Sequence, residues 1–203
     1  NDYCLYARTF TGGSLAVSGG SYFSSSSDGF HTQGGNAAAS ITINNGANLY
    51  GVRHGIVMIN TNAAQIAISS ATITGGVTGS ALRFHTLDAG GSLSLTDVAL
   101  SGFANGLGFS QAMGAAVTAT RVTISATTLD AVRLDAALAG GSITFTDVTS
   151  STPAAGKSAL SIQGGLTGGL VSLTGGSLTS DVGLFIANAI SLSTEGVSHI
   201  PWT

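Results

Sequence analysis

The nine residues Gly90–Val98, GGSLSLTDV, return as GGSITFTDV at Gly140–Val148, with six of the nine positions identical and the other three replaced conservatively. Such repetition constrains a chain strongly, because equivalent residues must find equivalent surroundings. The echo belongs to a shorter period. An apolar-x-apolar triplet recurs as Leu15-Ala16-Val17, Ile41-Thr42-Ile43, Ile66-Ala67-Ile68, Leu93-Ser94-Leu95, Val117-Thr118-Ala119, Ile143-Thr144-Phe145, Val171-Ser172-Leu173 and Leu192-Ser193-Thr194. Successive triplets start 26, 25, 27, 24, 26, 28 and 21 residues apart, so the fifty-residue echo spans two periods.

Each period holds a second landmark, a small residue followed by another apolar-x-apolar run. It reads Gly55-Ile56-Val57-Met58, Ala81-Leu82-Arg83-Phe84, Gly106-Leu107-Gly108-Phe109, Ala131-Val132-Arg133-Leu134, Ala159-Leu160-Ser161-Ile162 and Gly183-Leu184-Phe185-Ile186, with Gly29-Phe30-His31-Thr32 as a weaker first copy. A third short run lies between the two, as in Val98-Ala99-Leu100 and Val122-Thr123-Ile124. Triplets of period two, bounded by Gly, Ser, Asn and Asp, are strand and turn signals, and no window sustains the 3.6-residue period of a helix. One such turn cannot bury its own apolar face, but stacked turns share a continuous core. The expected fold is all-β: a single right-handed parallel β-helix of about eight coils, three short strands per coil. At roughly 4.8 Å per coil the rod would be about 40 Å long. The reading treats residues 1–203 as one domain, with 1–14 as an N-terminal cap, 15–194 as coils and 195–203 as a C-terminal cap or cut edge.

Composition narrows the function. A formal net charge of −3 offers no basic field, which argues against nucleic acid and anionic membrane surfaces as partners. No apolar stretch is long enough to cross a membrane as a helix. Cys4 is the one cysteine, so no intrachain disulfide can form. His31, His54, His85 and His199 lack metal-ligand spacing, and no motif calls for a cofactor. The Gly-rich stretches lack the lysine and following helix of a phosphate-binding loop.

Stacking turns sequence columns into surface ladders. Outward positions of the first strand, Thr42, Ala67, Ser94, Thr118, Thr144 and Ser172, form a flat and nearly uncharged face suited to self-association. The turn position after that strand reads Asn45, Ser70, Asp97, Arg121 and Asp147, which predicts an Asp97–Arg121–Asp147 charge ladder. Arg83 and Arg133 share a column two turns apart with Gly108 between them. Their planar donors suit carboxylates, so this column is the candidate binding site, for an acidic or glycan ligand. Glycoside hydrolysis needs two carboxylates about 5–9.5 Å apart. Alignment of the aspartates places no two on adjacent coils of one strand face, and most read as turn residues. The expectation is a protein without catalytic activity, with a polysaccharide-cleaving β-helix enzyme as the alternative.

The segments SDGF, HGIVMI, GSALRF and DAVRL, each followed by an Ala/Gly-rich turn and a strand such as ASITI, SLSL or SITF, resemble the pertactin-like passenger domains of autotransporters. The resemblance covers roughly residues 11 to 194. It implies a right-handed β-helix exported through the outer membrane of a Gram-negative bacterium, displayed at the cell surface or released. The implied roles are adhesion or virulence, through a host-cell protein or glycan, or association between passengers. No barrel of amphipathic strands accompanies the repeats here, so the resemblance implies a passenger segment. Its style of repeat carries no catalytic signature.

Overall fold

The structure, a computed structural model, describes residues 3–8, 12–34, 39–60, 63–125, 128–151, 155–187 and 193–195. Every regular element among them is a β-strand. The chain winds as a parallel β-solenoid of about six turns with three faces. The first face stacks Gly13–Ser18, Ala39–Asn44, Gln65–Gly75, Ser92–Ser101, Ala116–Thr120, Ser142–Thr146, Leu170–Thr174 and Ser193–Glu195. The second face stacks Ser21–Ser24, Asn48–Gly51, the far halves of Gln65–Gly75 and Ser92–Ser101, then Thr123–Ser125, Thr149–Ser151 and Ser177–Thr179. The third face stacks Leu5–Arg8, Phe30–Gln33, Ile56–Ile59, Ser80–Phe84, Asn105–Phe109, Val132–Leu134, Ser158–Ile162 and Gly183–Ile186.

Registers follow the sequence triplets. Leu15, Ile41, Ile66, Leu93, Val117, Ile143 and Val171 form one continuous column, as do Ile56, Leu82, Leu107, Val132, Leu160 and Leu184. The number of turns is smaller than the eight coils expected. The eight triplets count the rows of the first face, and the last of these, Ser193–Glu195, is followed by no strand among the described residues. Leu5–Arg8, within the segment read as a cap, hydrogen-bonds to Phe30–Gln33 as a row of the third face.

The corner between the first two faces has one cause at every level. Gly19, Asn45, Ser70, Asp97, Arg121, Asp147 and Gly175 all adopt left-handed backbone, with φ between 48° and 64°. One such residue breaks the in-out alternation, so two neighbours face outward before the apolar pattern resumes. In Ser92–Ser101, Leu93 and Leu95 point inward, Thr96 and Asp97 outward, and Val98 and Leu100 inward again. L-residues pay about 1–2 kcal/mol for this conformation, least for Asn and Asp, and Gly escapes the cost; that accounts for five of the seven occupants, and Ser70 and Arg121 are the costly exceptions.

Inside, one apolar cluster runs from Val17 to Leu178. Phe84 and Phe109, in adjacent rows, stack with ring centroids 5.3 Å apart. The column Leu49, Ile73, Leu100, Ile124, Ser150, Leu178 is interrupted by one hydroxyl, and Ser150 Oγ is buried with no hydrogen-bond partner among the described residues.

Candidate functional site

Immediately ahead of six of the seven third-face landmarks lies a polar residue, and stacking turns these into a buried column: Asp28, His54, Ser80, Asn105, Asp130 and Ser158. All but His54 are at most 7% exposed. Two of them accept a backbone N–H from the next turn. Ser80 N–H donates to His54 Nδ1 at 2.8 Å, and Ser158 N–H donates to Asp130 Oδ1 at 2.8 Å. Gly79 makes room for the first of these bonds, since a Cβ there would lie 2.6 Å from His54 Nδ1.

At one end of this column Asp28 is fully buried and held by three donors. Arg53 Nε and Nη2 reach its two oxygens at 3.0 and 2.8 Å, and His31 Nδ1 donates at 3.0 Å. Burial opposes ionisation of Asp28, but the hydrogen bonds from Arg53 and His31 outweigh it and hold the carboxyl below its usual range. Tyr3 and Tyr6 stack on each other and lean on the His31 ring, closing this end. Burial pushes His54 down to about 4, with help from the Arg53 and Arg83 charges and against the pull of Asp28. His85 is lowered for the same first reason, then by Arg83 and His31.

The outward column of the third face reads Tyr6, His31, Val57, Arg83, Gly108, Arg133, Ser161 and Phe185. Arg83 and Arg133 therefore share a column across Gly108, as the repeat predicts. Gly108 is needed there: a Cβ would meet Ser80 Oγ at 2.6 Å and Arg83 Nη1 at 3.2 Å. Through that gap both arginines converge on one acid. Arg133 Nε donates to Asp135 Oδ1 at 2.6 Å, while Arg83 Nη2 lies 3.6 Å from Asp135 Oδ2. Arg133 Nη1 also donates to Asp130 Oδ2 at 3.2 Å. The hydrogen bond to Asp135 raises Arg133 further above its ordinary value, despite some burial.

Sequence alignment missed the acids. Asp130 and Asp135 flank the strand Val132–Leu134 and reach the same guanidinium from within one turn, whereas alignment compared carboxylates only between turns. The signal was the spacing D-x-x-R-x-D around Arg133. Beside this network a groove of about 250 Å³ opens over Asp130, Arg133, Lys157, Ser161, Gln163 and Phe185.

The predicted charge ladder forms between two of its three members. Arg121 Nε and Nη2 donate to Asp97 Oδ1 and Oδ2 at 2.7 and 2.8 Å, a bidentate fork that faces one carboxylate. Asp147 acts on Arg121 only through space and leans the other way, over Gly175. That hydrogen bond from Arg121 lowers the Asp97 carboxyl from its ordinary value. Both side chains are solvent-exposed, and such pairs contribute little to stability.

No protein-family model, curated protein or solved structure matches this chain. The parallel β-solenoid is established by its own geometry. Among the described residues no three His, Cys, Asp or Glu side chains are grouped so as to hold a metal ion, and His199 lies outside those residues.

Proposed function

We propose that this solenoid is a non-catalytic binding scaffold of the autotransporter-passenger kind, secreted by or displayed on a Gram-negative bacterium, and that its third face contacts a glycan or protein of a host-cell surface. The observation that carries this reading is the Arg83–Asp135–Arg133–Asp130 network beside an open groove. Asp135 and Asp130 hold the Arg133 guanidinium by hydrogen bonds, and Asp135 pairs with Arg83 at 3.6 Å, so both arginines are positioned before a ligand arrives. Such preorganisation reduces the ordering cost of binding. The same contacts speak against hydrolysis. An acid–base pair must present free carboxyl groups to the substrate, and both acids here are engaged by arginine.

The test is saturable binding of the labelled chain to cultured mammalian cells, with a double variant Arg83→Ala, Arg133→Ala alongside. Saturable binding lost in the folded variant supports the reading and its face. Absence of saturable binding by the parent chain overturns it.

A second reading is self-association through the first face. Its support is the unbroken outward column Ala16, Thr42, Ala67, Ser94, Thr118, Thr144 and Ser172, which carries no charge over seven rows. Two such faces can meet without leaving an unpaired charge between them. Monomeric sedimentation at high protein concentration would overturn it.

A further inference from the structure

We infer that the groove between Arg133 and Phe185 holds a single carboxylate-bearing sugar residue, a hexuronate or a sialic-acid-type nonulosonate. The inference rests on the reading of the third face as a glycan-binding surface.

The first argument is an account of donors and acceptors. The groove's acids are already satisfied by the protein itself. Asp130 accepts from Ser158 N–H at 2.8 Å and from Arg133 Nη1 at 3.2 Å. Asp181, next in sequence to the lining residue Val182, accepts from Gly156 N–H at 2.6 Å. Ser161 Oγ accepts from Gln163 Nε2 at 2.5 Å. Lys157 lines the groove; its carbonyl accepts from Val182 N–H at 3.0 Å, while its ammonium has no hydrogen-bond or ion-pair partner among the described residues. The unspent capacity is therefore mainly that of donors, the three N–H bonds of the Lys157 ammonium first among them. A ligand that fits must bring acceptors, and a carboxylate brings the strongest, since a charge-assisted hydrogen bond is roughly twice as strong as a neutral one.

The second argument is the opposite wall. Phe185 sits in the arginine column, two rows beyond Arg133, and is 41% exposed. A solvent-facing phenyl ring offers an apolar plate, and the axial C–H face of a pyranose is its complement. The groove, about 250 Å³, has room for one sugar ring. A ligand with an apolar C–H face and a carboxylate at its edge spans Phe185 and Lys157 together. A neutral hexose uses only the first of these, and a simple carboxylate only the second.

The experiment is NMR titration of the full chain with methyl glucuronide, methyl sialoside, methyl glucoside and acetate, repeated on Lys157→Gln and Phe185→Ala. Both substitutions are at solvent-accessible positions, and melting curves check that both variants fold. At least one acidic sugar is expected to bind at about millimolar concentration, with the glucoside and acetate about tenfold or more weaker. Each variant is expected to lose about tenfold of that affinity. The glucuronide and sialoside arms show which class of acid sugar is taken. Equal binding of glucoside and acidic sugars, or undiminished binding by either folded variant, overturns the proposal. So does the absence of binding by every sugar. If the parent chain binds cells but no acidic sugar, the groove is wrong and the surface reading stands. If it binds an acidic sugar but no cells, the groove stands and the host-directed reading falls.

Discussion

Lowering the pH from neutral should weaken this fold through His54 well before its acids begin to titrate. The imidazole accepts the Ser80 N–H at 2.8 Å, which only an unprotonated Nδ1 can do, and burial depresses its pKa from 6.5 to about 4. A histidine that stays neutral in the fold but charges in the unfolded chain stabilises the fold fully above about pH 6.5. That contribution drains away as pH falls from 6.5 towards 4, where the unfolded chain binds the extra proton, and levels off below. At 1.36 kcal/mol per pKa unit the displacement corresponds to at most about 3 kcal/mol. The ring is half-buried, so the expected loss is about 2 kcal/mol once solvent screening is allowed for. His54→Gln keeps an acceptor for Ser80 N–H and cannot titrate. Urea midpoints followed by circular dichroism between pH 7.5 and 4.5 should fall steeply in the parent and much less in the variant. A small slope remains in the variant because His85 is lowered in the same direction. An unchanged slope in His54→Gln, or a flat profile in the parent, would refute the reasoning.

Three further predictions follow from single contacts. Ser150→Ala removes a buried hydroxyl that has no partner among the described residues and should raise stability by about 1 kcal/mol in urea unfolding; a loss would mean that the hydroxyl is satisfied. Asp28→Asn leaves Arg53 and His31 without their shared carboxylate and should cost about 2–3 kcal/mol near pH 7. Because the Asp28 pKa is lowered in the fold, its stabilisation is present above the unfolded value and lost as pH falls through the folded one. The gap between parent and variant should therefore close only below about pH 4. Arg121→Asn replaces the least suited occupant of a left-handed position (φ 52°) and should raise the melting temperature in about 1 M salt, where the pair with Asp97 is screened; a lower melting temperature there would count against the strain argument.

The repeat made the solenoid legible because it is written in backbone pairing. Each triplet lies in the column where its phase puts it, down to the Ser172–Ser193 pair in the last row. Gly108 between Arg83 and Arg133 was legible for the same reason. What the arginines do was not, because Asp135 reaches them from the following bend, and columns say nothing about side chains that lean between rows. The buried column of Asp28, His54, Ser80, Asn105, Asp130 and Ser158 was also missed. Its members differ in chemistry and share only a task, accepting a neighbour's N–H or filling a corner, so they do not look alike as letters. Reading the aspartates as turn residues was right for Asp97 and Asp147, which have left-handed backbone, and incomplete for Asp28 and Asp130, which are bonded inside the corner.

The Gly108 gap also makes the molecule adjustable in fixed increments. Side chains in one column are separated by whole turns, each about 4.8 Å, so their spacing takes only discrete values. Excising one complete turn, the row of Gly108 included, would bring Arg83 and Arg133 into adjacent rows while leaving both neighbouring interfaces chemically similar. Duplicating it would move them a step further apart. Separation of charges along this rod is therefore a matter of counting repeats, and a lineage could retune its reach by gaining or losing about 25 residues at a time rather than by redesigning a site.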